Sequence, residues 1–149
     1  MIKETAELVS ILGVLITVVA LWFTVRSFKK QLQLTFFSEY TKRYQEITLN
    51  LPSNINREDF SFDALPPELK DRTLRYMRAY FDLCSEEYFL KRKNHLDDET
   101  WKEWKTGMEF SFSKTAFREA WKTLQLNSTY YGEFTAFVAE CMPLSEPKN

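Results

Sequence analysis

Eighteen consecutive residues, Leu8 to Val25 (LVSILGVLITVVALWFTV), carry no charge and no proline. At about 1.5 Å of rise per residue, such a helix spans roughly 27 Å, close to the hydrocarbon thickness of a bilayer. A core helix of this length would show a polar face, and this one has nothing more polar than Ser and Thr. A cleaved signal peptide is the rival reading, but its apolar region would be shorter and would end in small residues. Here the run ends in Trp22-Phe23-Thr24-Val25-Arg26, and bulky aromatics there suit a membrane interface better than a cleavage site. The expectation is a single-pass anchor whose first partner is the lipid bilayer.

Flanking charge sets the expected orientation. Lys3, Glu4 and Glu7 precede the run, and the membrane-flanking basic residues Arg26, Lys29 and Lys30 follow it. Cationic side chains near a span favour the cytosolic side, so the chain after Val25 is expected in the cytosol and the N-terminus outside. For a bacterial chain the membrane is the inner one. Asn127-Ser128-Thr129 matches a glycosylation sequon, but in that orientation it faces the wrong compartment.

Within residues 6–27 the small residues are Ala6, Ser10, Gly13, Thr17, Ala20, Thr24 and Ser27. Their spacings alternate four and three, and Gln31 continues the rhythm. Every other position in that window is large and apolar except Glu7 and Arg26. A 3.5-residue repeat keeps one stripe against a partner helix through a left-handed supercoil. In lipid, small residues let helix backbones approach closely. The sequence has one apolar run, so the partner helix comes from another copy or another protein. Self-association is the leading expectation. A second reading lines a water-filled lumen with the stripe, because hydroxyls facing water or each other cost little. In the plainest reading, each hydroxyl bonds its own backbone and the pattern means nothing.

The rest of the chain has helical periodicity, and its aromatic content of 16% is high. Phe28, Leu32, Phe36, Tyr40, Tyr44, Ile47 and Leu51 recur every three to four residues, so the first helix is expected to run to about residue 50 and pack this stripe on the following domain. Pro52 ends it. Residues 52–66 look like a loop, and Pro67 suits a helix start. The second helix, to about Arg92, carries Leu74, Met77, Phe81, Cys84 and Tyr88 on one face. Asp97 is an expected cap, with Leu96 and Trp101 at staple positions. Trp101, Trp104 and Met108 form the next stripe. Ser113 is expected to cap a helix bearing Phe117, Ala120, Trp121 and Leu124, and Ser128 one bearing Tyr130, Phe134, Phe137, Val138 and Cys141. The expected fold is all-α: a transmembrane anchor over 1–27, a cytosolic extension over 28–51, a loop over 52–66, a bundle over 67–143 and a disordered tail over 144–149.

Chemistry is sparse. The one histidine, His95, lies in a charged turn, and three glycines cannot build a phosphate loop. Cys84 and Cys141 stand apart in helical stretches, as buried free thiols do. Glu86-Glu87 and Asp97-Asp98 are adjacent on helices, so each pair diverges by about 100°. With a net charge of −1 there is no strong nucleic-acid signal, and no enzyme activity or cofactor is expected.

Glu86-Glu87-Tyr88-Phe89-Leu90, the Trp101-to-Trp104 pair and the Phe117-to-Trp121 pair, behind an anchored basic helix, resemble a group of short bacterial and phage-associated membrane proteins. The layout is also similar to membrane accessory proteins of RNA-targeting CRISPR systems, which assemble into pores during antiphage defence. Arg92 stands only three positions before His95, too close for the Arg-to-His motif of HEPN ribonucleases. The small-residue stripe, together with this similarity of layout, points to a homo-oligomeric, pore-forming or membrane-perturbing effector. The alternative is a tethered adaptor whose bundle recruits a protein partner in such a system.

Overall fold

The computed structural model describes residues 2–126 and 132–142. Those residues hold five α-helices and no strand: α1 (Ile2–Leu49), α2 (Pro67–Arg92), α3 (Asp98–Phe112), α4 (Thr115–Leu126) and α5 (Phe134–Cys141). A short 3-10 turn, Phe62–Ala64, lies between α1 and α2. The chain divides into two compact units, residues 1–38 and residues 39–149. The all-α expectation holds.

Helix α1 is long because nothing in its sequence interrupts it: no proline occurs before Pro52, and Gly13 is the one glycine. Its end tightens through Asn50 N to Ile47 O and Leu51 N to Thr48 O, while the Asn50 amide donates to Glu46 O at 2.9 Å. Pro67 occupies the first turn of α2, where its missing N–H costs nothing. At the other end Asn94 takes the left-handed conformation (φ 56°). There His95 N reaches Leu90 O and Asn94 N reaches Lys91 O, which together close a Schellman motif.

Helix α3 begins as the sequence suggests. Asp97 accepts from Thr100 N and from the Thr100 hydroxyl, both at 2.8 Å, and the backbone bond holds its carboxyl below the usual range. The same reading fails at Ser113. That residue is still helical (φ −69°, ψ −16°) and terminates α3, its hydroxyl donating back to Phe110 O at 2.6 Å. A side chain can cap a helix start only from an extended backbone, which Ser113 lacks. Helix α5 starts at Phe134, after Gly132 (φ 45°), later than a cap at Ser128 requires. Ser128, Tyr130, the 127–129 sequon and the 144–149 tail lie outside the described residues.

The core of residues 39–149 is a lattice of rings. Phe81 stacks on Phe112 (5.5 Å, 21°) and meets Trp121 at 4.8 Å. Tyr80 is edge-on to Phe117 at 5.1 Å, and Tyr88 stacks on Phe137 at 4.9 Å. Met77, Cys84, Met108, Ala116, Ala120, Leu124 and Val138 fill the gaps. Burial pushes the Cys84 thiol and the Tyr80 hydroxyl well above their ordinary pKa values, while Cys141 is half-buried. The segment before α2 is more than a connector. Ile55, Phe60 and Phe62 are buried in this core, and turn bonds such as Ile55 N to Pro52 O (3.0 Å) hold it in shape.

The amphipathic stripe on α1 splits. Ile47 and Leu51 belong to the core and Tyr40 packs against it, but Phe28 and Leu32 stand 59% and 39% exposed. Phe28, Leu32 and Phe36 belong to residues 1–38, and within residues 39–149 the stripe packs from Tyr40 onward.

Phe81→Ala removes a fully buried ring between two others and should cost about 3–5 kcal/mol. Denaturant unfolding of the full-length protein in mild detergent, followed by far-ultraviolet circular dichroism, measures this. A loss under 1 kcal/mol would mean that the ring lattice is not what holds the bundle.

Candidate functional site

Among the described residues one helix is long and apolar enough to cross a membrane by length and composition, over Val9–Leu49 within α1. Every large apolar side chain from Val9 to Val25 is between 48% and 69% exposed, on all sides of the helix. Single exposed apolar residues are ordinary, but a continuous apolar surface of this extent is found on soluble proteins only where something covers it.

The predicted stripe lies on this helix. Ser10, Gly13, Thr17, Ala20, Thr24, Ser27 and Gln31 are all exposed; the side chain of Ala6 is outside the described set. A Cβ built on Gly13 meets nothing within 4 Å, so the groove there is open. The Thr17 hydroxyl donates to Gly13 O and the Thr24 hydroxyl to Ala20 O, both at 2.8 Å. Thr35 does the same to Gln31 O at 3.0 Å. These donors are satisfied within their own helix, which leaves the threonine methyls and the Gly13 backbone to offer a flat, close-packing surface. No water-filled lumen is needed to satisfy them.

Arg26, Lys29 and Lys30 are exposed beyond the apolar run. The Arg26 guanidinium lies 5.4 Å from the centre of the Trp22 ring, which meets Phe23 edge-on at 5.0 Å.

A second cluster sits within residues 39–149, where α1 meets α2. Arg43 grips Glu86 with both terminal nitrogens, at 2.6 and 3.1 Å. The Tyr40 hydroxyl donates to the same carboxylate at 3.3 Å, and its ring stacks on Trp104 at 5.2 Å. Both partners of the ion pair are partly exposed, so it contributes modestly. The Arg43 bond holds the Glu86 carboxyl below the usual range, and burial, then Glu86, push the Tyr40 hydroxyl up to about 12. Glu87 differs from its neighbour. It is 7% exposed, and burial, opposed by Arg43 and reinforced by Glu86, raises its carboxyl to about 8.

The divergence expected of Glu86-Glu87 is thus real, and it sends one acid to the ion pair and the other into the core. The signal was there, since Glu87 stands three residues after Cys84, on the same helical stripe. His95 is exposed, and the described residues hold no group of three or more His, Cys, Asp or Glu that could ligate a metal. No protein family, curated protein or solved structure matches this chain.

Glu87 makes stability depend on pH in a defined sense. Its carboxyl is raised in the fold, so stability is fullest below the ordinary carboxyl range near 4.5 and is lost as pH rises towards about 8. Glu87→Gln should remove that decline and raise Tm at pH 8 by a few degrees. Thermal melts of both proteins from pH 5 to 8.5 test it, and parallel slopes would show that Glu87 is ionised in the fold.

Proposed function

We propose that this chain is a single-pass membrane protein that self-associates through α1, with the helical domain of residues 39–149 on the cytosolic side. The observation that carries the reading is the combination on one helix of all-round exposed apolar surface and an unbroken 3-4 stripe of small residues. Lipid covers the first, and a second copy of α1 fits the second. Arg26, Lys29 and Lys30 support the orientation, with the residues before the span outside. The internal bonds of Thr17 and Thr24 mean that a packed seam leaves no hydroxyl of theirs without a partner.

The effector role implied by the resemblance, a membrane-perturbing or pore-forming assembly in antiphage defence, would operate through such a seam, with the bundle setting the stoichiometry or receiving a signal. The adaptor reading draws on two aromatics of the bundle that stand more than half exposed, Phe89 and Phe110, each beside a lysine. In that reading the anchor localises the chain and the seam is dispensable.

The mass of the full-length protein in mild detergent, by native mass spectrometry, separates the readings. A discrete multimer is expected. Gly13→Leu combined with Thr17→Leu keeps the helix apolar while blocking close approach, and should shift the population to monomer by tenfold or more. A wild-type monomer over a wide concentration range would overturn self-association. A multimer that survives the double substitution would move the interface off the seam.

A further inference from the structure

The cations that follow the apolar run are not spread around α1. At about 100° per residue, Trp22, Arg26, Lys29 and Lys30 fall within an arc of about 100°, and the small-residue stripe is centred about 160° away. One side of the helix therefore carries the seam and the opposite side carries an aromatic ring and three positive charges within about 12 Å of axial rise. Among the described residues these charges are also uncompensated. No acid occurs between Leu8 and Ser38, and the first after Lys30 is Glu39, about 13 Å further along the axis. Among the described residues no carboxylate pairs with Arg26, Lys29 or Lys30. The Trp22 ring already holds the Arg26 guanidinium over its face, which lessens the ordering that binding would demand.

We propose that Trp22, Arg26, Lys29 and Lys30 form a docking site for the phosphate of an anionic phospholipid headgroup, on the face of α1 opposite the small-residue stripe. The proposal rests on the reading of α1 as a membrane span. It follows from charge complementarity and depth. The site begins where the apolar run ends, at the level of lipid phosphates, and presents a planar two-pronged donor beside two flexible ammonium groups. In an assembly packed through the seam this face points outward to bulk lipid, so headgroup binding and self-association do not compete.

The test uses full-length protein reconstituted in nanodiscs and released for native mass spectrometry, with phosphatidylglycerol as the probe and phosphatidylcholine as the neutral comparison. Wild type should retain phosphatidylglycerol at least tenfold more than phosphatidylcholine. Arg26→Gln with Lys29→Gln and Lys30→Gln should abolish the preference while leaving the multimer mass unchanged. Lys42→Gln, a cation twelve residues beyond Lys30, should keep it. Equal retention of the two lipids by wild type, or an undiminished preference in the triple variant, overturns the proposal. Inorganic phosphate that displaces the lipid more than chloride of equal ionic strength would make this a site for free phosphate and also overturn it. Flotation with neutral vesicles separates the underlying reading. Wild type and triple variant should both float, and failure of wild type to do so sinks the span itself.

Discussion

The rest of this protein is organised by one constraint: from Val9 to Val25, α1 satisfies its own backbone yet offers water an apolar surface on every side. A helix can close its hydrogen bonds alone, but it cannot hide side chains that project all round it. From Val9 to Val25 every large apolar side chain is about half exposed or more. Both the lipid and the self-association readings descend from that exposure. The polar residues of the run are placed so that the exposed surface stays apolar, since Thr17 and Thr24 turn their hydroxyls onto carbonyls one turn back.

Residues 39–149 solve the opposite problem. This unit buries its apolar surface internally, with aromatic rings where a larger protein would use aliphatic layers. Rings carry much area per residue, and edge-on and offset contacts between them add to simple burial. Tyr80 alone meets Phe81, Phe112 and Phe117. The segment between α1 and α2 lends Phe60 and Phe62 to the same lattice, which ties an otherwise irregular stretch to the helices.

How much of this the sequence discloses depends on the range of the determining interaction. The bounds of α2 are set locally, by Pro67 at one end and Asn94 at the other, and could be read directly. The stripes on α2 to α5 follow from spacing alone. Asp97 and Ser113 mark the boundary of such reasoning. Both are residues that suit caps, but only Asp97 has the extended backbone that lets its side chain reach forward, and a string of letters does not report backbone angles. Ile55 was missed for another reason, because burial of a loop residue is decided by neighbours distant in sequence. For the candidate site, the stripe and the flanking cations are features of the sequence itself, and the structure leaves Ser10 to Gln31 of the stripe exposed. Their placement on opposite faces emerges once the helix is known to be continuous.

The threonine bonds on α1 have a mechanical consequence. A hydroxyl that shares a carbonyl with the backbone lengthens the helical bond on that side and bends the helix. Thr17, Thr24 and Thr35 do this on one side of the axis, roughly one heptad and then eleven residues apart. Bends in register add, whereas bends on alternating faces would cancel. Whatever bending these bonds give residues 2–38 is therefore directed into one plane.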